Sequence, residues 1–106
     1  MLGIDIVYLP EFKEKIKSLS LEKVFLDVEL SQNKTQESLA GIFAAKEAFF
    51  KAIGRKEDWL SIWIEKEGQG KPQLYSTLIK DNQKAEVSIS HSGDYAIAMV
   101  MIKDEG

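Results

Sequence analysis

The sequence predicts an α+β fold in which a mostly antiparallel sheet wraps on one long helix. Three observations carry that prediction. Gln36 to Ile53 holds apolar residues at helical spacing for about five turns and stops at Gly54. Five other segments are short, β-branched or alternating, and bounded by turn residues. The last two flank Gly93-Asp94, where a Gly at the first central position suits a type II′ hairpin and therefore antiparallel pairing. With 106 residues and neither linker, repeat nor low-complexity stretch, residues 1–106 form one domain.

In chain order, Leu2-Gly3-Ile4-Asp5-Ile6-Val7 reads as a strand. Leu2, Ile4 and Ile6 share one face, and Gly3, Asp5 and Val7 share the other. Pro10 then suits the first position of a helix whose apolar stripe is Phe12, Ile16 and Leu19, with Lys13 and Lys17 on one flank. Residues 20 to 36 are polar and irregular, apart from a local apolar cluster at Phe25 to Leu30. The long helix carries Leu39, Ile42, Phe43, Phe49, Phe50 and Ile53 on a broad face and a smooth flank of Ala40, Ala44 and Ala48 beside Glu47 and Lys51. A helix this apolar is normally enclosed, and Lys46 interrupts its apolar face without an evident reason. Leu60 to Glu65 and Pro72 to Leu78 read as strands joined around Gly68-Gln69-Gly70-Lys71. Glu86 to Ser92 and Tyr95 to Ile102 form the closing hairpin. The last strand is apolar on both faces, with Ile97, Met99 and Met101 opposite Ala98, Val100 and Ile102. One face suits the long helix and the other a second subunit.

Composition removes several classes of function. The 14 basic and 17 acidic residues leave a net charge of −3, which argues against a nucleic-acid binder, though not against a small anion held by local fields. Cysteine is absent, so there is no disulfide, thiolate metal site or thiol nucleophile. No apolar run is long enough to span a membrane and no basic segment precedes an apolar one at the N-terminus, so the expected location is the cytoplasm.

Four charged groups sit in mostly apolar or small-residue frames: Asp5, Glu47, Lys51 and His91. Asp5 is either an edge-strand carboxylate facing water or a ligand for a hard cation, since unpaired buried carboxylates are costly. Glu47 and Lys51, at i and i+4, form either an ordinary helix pair worth about 0.3–0.5 kcal/mol or part of a site. With Lys46 they are the only charges between Leu39 and Ile53, fewer than an exposed face carries. His91, the only histidine, lies between Ser90 and Ser92 at a strand end. It is either a satisfied imidazole or part of an anion subsite. Gly70-Lys71-Pro72 is by itself a generic turn. One histidine and no cysteine disfavour a transition metal, and oxygen ligands point to Mg²⁺.

Taken together, Gly3-Ile4-Asp5-Ile6-Val7, Phe43-Ala44-Ala45-Lys46-Glu47-Ala48, Lys51 with Gly54, Gly70-Lys71-Pro72 and Ser88-Ile89-Ser90-His91-Ser92 resemble the holo-acyl-carrier-protein synthases, a family of 4′-phosphopantetheinyl transferases. Tyr95-Ala96-Ile97-Ala98 is similar to the family's closing strand. The resemblance implies transfer of 4′-phosphopantetheine from coenzyme A to a serine of an apo acyl carrier protein, releasing 3′,5′-ADP. It implies that Asp5 and Glu47 hold Mg²⁺ on the coenzyme A pyrophosphate and that Lys51 contacts the phosphates and protonates the leaving group. It implies that Gly54, Gly70, Lys71, Pro72, His91 and Ser92 serve coenzyme A binding. It also implies a homotrimer with sites between subunits, His91 and Lys71 coming from one side of an interface and Glu47 and Lys51 from the other. Lys13, Lys15 and Lys17 on the first helix are the expected docking cations for an acidic carrier protein.

The sequence departs from the family at Ile42, where many members carry arginine, with Arg55 as the candidate to compensate. Phe50 replaces a residue that is often small or polar, and Gly54-Arg55 replaces a common Gly-Thr-Gly. Two other readings stay open on the residues alone: a catalytically weak relative that binds a carrier protein or assists assembly, and an unrelated Mg²⁺-dependent phosphohydrolase.

Overall fold

The computed structural model describes residues 1–105. Strand β1 (Leu2–Tyr8) runs directly into helix α1 (Leu9–Ser18). Leu9 is the first helical residue, so Pro10 occupies the second position, one later than expected; its missing N–H is free of cost in either. The irregular stretch contains a 3-10 turn (Leu21–Lys23) and a short helix α2 (Asp27–Gln32). Helix α3 (Gln36–Ile53) has the expected limits for identifiable reasons. The Thr35 hydroxyl accepts from the Ser38 N–H at 3.1 Å, and Gly54 turns left-handed with φ 77°. A 3-10 turn (Trp59–Ser61) leads into β2 (Ile62–Glu67), β3 (Lys71–Ser76), β4 (Gln83–Ser92) and β5 (Tyr95–Asp104).

All strand pairs are antiparallel, but they fall into two sheets, β1-β5-β4 and β2-β3. Gly93 takes φ 54° while Asp94 does not turn positive, as a type II′ hairpin requires. The last strand is the centre of the larger sheet and the first strand pairs with it at one edge, with Gly3 opposite Val100 and Asp5 opposite Ala98.

Helix α3 lies across that sheet. Gly3, Val7, Ala96, Ala98, Val100 and Ile102 are buried beneath it, and Ala44, Ala45, Ala48 and Ala52 supply the helix's small buried side chains. The approach is close: a Cβ on Gly3 would lie 1.9 Å from the Ala48 carbonyl oxygen and 2.7 Å from the Ala52 nitrogen. Elsewhere α3 builds an aromatic cluster with ring centroids 5.3 Å apart for Phe12–Phe43, 5.0 Å for Phe43–Trp59 and 5.4 Å for Phe50–Trp59. Phe50 therefore fills core rather than the space beside Lys51.

Lys46, the interruption in the apolar face, is fully buried with Glu29 of α2 at 2.8 Å. Its ammonium also donates to the carbonyls of Val24 (2.6 Å) and Trp59 (3.1 Å). Burial pushes the Lys46 ammonium below its ordinary pKa, and Glu29 opposes that shift.

The outer face of the larger sheet is uncovered. Leu2, Ile4, Ile6 and Tyr8 on β1 stand opposite Met101, Met99, Ile97 and Tyr95 on β5, and all but the half-buried Met101 are exposed. Among the described residues, no helix is long and apolar enough to cross a membrane.

Candidate active site

Asp5 points toward α3 from the middle of β1, on the face it shares with Gly3 and Val7, and its side chain is 15% exposed. The missing Cβ at Gly3 lets the strand settle on α3 one helical turn from Lys51, so Asp5 Oδ1 meets Lys51 Nζ at 2.9 Å. The i, i+4 pairing of Glu47 with Lys51 is not what forms. Glu47 instead accepts from Lys56 in the loop after α3, with Nζ 3.1 Å from Oε1. The hydrogen bond and charge of Asp5 raise the Lys51 pKa above its ordinary value; slight burial opposes this and the Glu47 charge adds to it. Lys51 is therefore fully protonated at neutral pH.

Asp5 and Glu47 line one open cleft of about 230 Å³, together with Tyr8, Glu11, Phe12, Lys15 and Phe43. No cluster of three or more His, Cys, Asp or Glu side chains capable of holding a metal exists among the described residues. Two carboxylates opening onto one cleft are a donor set that fits a hard cation, one that keeps several of its waters. The donor set is all oxygen, and each carboxylate carries an ammonium, Lys51 on Asp5 and Lys56 on Glu47.

His91 lies elsewhere. With Asn33, Ser38, Ile42, Lys66, Ile89, Gly70 and Pro72 it lines a second cleft of about 160 Å³. Its Nε2 is 3.0 Å from the Glu37 carbonyl oxygen, so that nitrogen donates. Gly41 makes room for the ring, since a Cβ there would sit 2.9 Å from Nε2. The two clefts have no lining residue in common.

The remaining expected residues scatter. Lys71 faces a groove between β3 and β4 with Lys84 and Glu86. Ser92 is exposed at the end of β4, and Gly54 caps α3 and launches the loop that carries Lys56. Arg55 pairs with Glu57 at 3.3 Å. On α1, Lys15 reaches the first cleft with its Nζ 5.4 Å from the Phe43 ring centroid. Lys17 pairs with Glu14 at 2.9 Å and Lys13 is half-buried. Sequence reasoning missed Lys56 and Lys66. Both are lysines in polar segments, with no spacing rule to connect them to Glu47 or His91.

Residues 1–100 match the model of the 4′-phosphopantetheinyl transferase superfamily. The holo-[acyl-carrier-protein] synthase of Bacillus pumilus is 40% identical over 116 residues, covering 96% of this chain and 93% of the relative. That of Nautilia profundicola is 40% identical over 111 residues, covering 96% and 98%. Among solved structures, the Helicobacter pylori holo-[acyl-carrier-protein] synthase in complex with coenzyme A superposes with a TM-score of 0.87 at 30% identity, over 97% of this chain and 100% of that one. The strand-borne Asp5, the Ala-Ala-Lys-Glu-Ala helix and this end-to-end likeness converge: the chain belongs to the holo-[acyl-carrier-protein] synthase family of the 4′-phosphopantetheinyl transferase superfamily.

Proposed function

We propose that this chain transfers 4′-phosphopantetheine from coenzyme A to a serine hydroxyl of an apo acyl carrier protein, releasing 3′,5′-ADP, with Mg²⁺ held by Asp5 and Glu47. The observation that carries the proposal is the shared cleft: carboxylates from β1 and α3 open onto one space with the protonated Lys51 beside them. The likeness of the whole chain to a synthase solved with coenzyme A supports the choice of donor.

The chemistry follows from charge. The pyrophosphate is anionic and repels an incoming oxygen until its charge is met. Mg²⁺, when bound, supplies that neutralisation and polarises the phosphoryl oxygens. Lys51 moves from Asp5 to the phosphates and gives its proton to the departing 3′,5′-ADP oxygen. The serine oxygen forms a new bond to phosphorus as the bridging phosphorus–oxygen bond breaks, and the serine proton leaves to water. His91, Gly70 and Pro72 serve the nucleotide end, and Lys71, Ser92 and Gly54 serve coenzyme A from outside that cleft. The separation of the two clefts and the uncovered outer face of the β1-β5-β4 sheet support a homotrimer, in which one subunit's metal cleft abuts its neighbour's nucleotide cleft. The location that fits such a partner is the cytoplasm.

Mass spectrometry of an apo carrier protein incubated with the chain, coenzyme A and Mg²⁺ tests the reaction. One phosphopantetheine should be added per carrier, and chelation should abolish transfer. Asp5→Ala and Glu47→Ala should each lose activity by several orders of magnitude with the fold intact. Lys51→Ala should fall by about 10²–10³, the usual cost of one electrostatic donor. His91→Ala should mainly weaken coenzyme A binding. Full activity in Glu47→Ala would overturn the mechanism.

A further inference from the structure

Lys56 has no place in the proposed chemistry, yet it partners one of the two carboxylates that the chemistry needs. It comes from the loop between α3 and the 3-10 turn at Trp59–Ser61. Its Nζ sits 3.1 Å from Glu47 Oε1 and 4.9 Å from the Trp59 ring centroid. Trp59 is itself packed against Phe43 and Phe50, so the lysine rests on a fixed surface. Lys51 covers Asp5 in the same way. Asp5 and Glu47 thus each face an ammonium where a divalent cation must find negative charge, and the other charges lining the cleft, Glu11 and Lys15, are themselves of opposite sign. A cation entering this cleft alone either displaces an ammonium or sits within its repulsion.

We propose that Lys56 is an internal competitor for the metal: it holds Glu47 until the substrate pyrophosphate offers it another anion, and so makes metal binding depend on nucleotide binding. This rests on the reading of Asp5 and Glu47 as the metal carboxylates. The competition is mild by construction. The Lys56 side chain is mostly exposed, and such a pair is weak and screened by salt. A long flexible stem lets the ammonium change partners without leaving the cleft. Phosphate that draws Lys56 away raises metal affinity, and metal that frees Lys56 raises phosphate affinity by the same factor. Lys51 takes part from the Asp5 side but is needed for the reaction, so Lys56 is where the coupling can be removed alone.

The test is Mn²⁺ binding, read as free Mn²⁺ by electron paramagnetic resonance, on the full chain with and without saturating coenzyme A. Lys56→Met keeps the apolar stem over Trp59 and removes the charge. It should bind Mn²⁺ about two- to fivefold more tightly than the wild type without coenzyme A, the scale of one exposed ion pair. The ratio of affinities with and without coenzyme A should fall by a similar factor. Lys80→Gln, an exposed lysine in the β3–β4 turn, makes the same change in net charge away from the cleft and should leave Mn²⁺ affinity unchanged. Wild-type affinity in Lys56→Met, or an equal gain in Lys80→Gln, overturns the proposal. Unweakened Mn²⁺ binding in both Asp5→Asn and Glu47→Gln would instead sink the metal assignment itself, so the two failures are distinguishable.

Discussion

Lys46 brings a full charge to a position with no solvent exposure, and three oxygens receive its three protons: Glu29 Oε1 and the carbonyls of Val24 and Trp59. Glu29 is equally occupied, accepting from the Leu26 N–H and the Ile64 N–H, both at 2.9 Å. The pair ties four segments outside α3 to the helix position next to Glu47. Replacing both charges by apolar groups is often tolerated in such pairs, whereas removing one leaves a buried uncompensated ion. Lys46→Met should therefore lower unfolding stability by about 3–5 kcal/mol in urea titrations. Adding Glu29→Leu should restore only part of the loss, because two backbone N–H groups then lose their acceptor. A Lys46→Met cost below about 1 kcal/mol, the range of a surface pair, would show that Glu29 does not depend on this lysine. Sequence alone could flag Lys46 as anomalous, because an ammonium in an apolar stripe is costly. It could not name Glu29, since α2 and α3 meet only through the tertiary fold.

Among the elements, α3 was the most legible, because its limits are local: Thr35 caps one end, Gly54 the other, and the apolar spacing fills the interval. β1 was also readable from its alternation, which set Asp5 on one face with Gly3 and Val7 but left open whether that face met the helix or water. α2 was missed because Asp27–Gln32 is too short to display a period. The division into two sheets was hidden too, since pairing partners depend on chain path rather than on any one segment. The same limit governs the site. The i, i+4 rule linked Glu47 to Lys51, but β1 and the loop after α3 supply competing partners that no helical wheel contains. Helix α1 offers a prediction at this scale. Of its lysines, Lys15 alone reaches the cleft, held over Phe43, while Lys17 is engaged with Glu14. On the carrier-protein reading, Lys15→Glu should raise the apparent KM for carrier protein several-fold and weaken its salt dependence, leaving the KM for coenzyme A nearly unchanged. Equal effects on both substrates would remove α1 from the docking surface.

For the whole molecule, the larger sheet is finished on one side only. Its inner face is sealed by α3, while Ile4 and Ile6 are 59% and 58% exposed on the outer face, with Ile97 and Met99 beside them on β5. The outward residues of β4, Glu86, Ser88 and Ser90, are polar, so the apolar patch is confined to the β1–β5 ribbon. A contiguous patch of this kind marks an interaction surface, and identical copies close it most simply by cyclic symmetry. A trimer would also resolve the separation of the two clefts by joining the Asp5 and Glu47 cleft of one copy to the His91 cleft of the next. Sedimentation equilibrium should return three times the chain mass. Ile4→Glu combined with Met99→Glu places two carboxylates directly opposite each other on the outward face, where neither touches the core under α3. That variant should sediment as a monomer, keep a cooperative thermal transition by circular dichroism, and bind coenzyme A much more weakly, since each copy then carries only half of the site. A wild-type mass that stays monomeric across concentrations would sink the trimer. A folded monomeric variant with wild-type coenzyme A affinity would leave the trimer standing and show that each chain builds its nucleotide site alone.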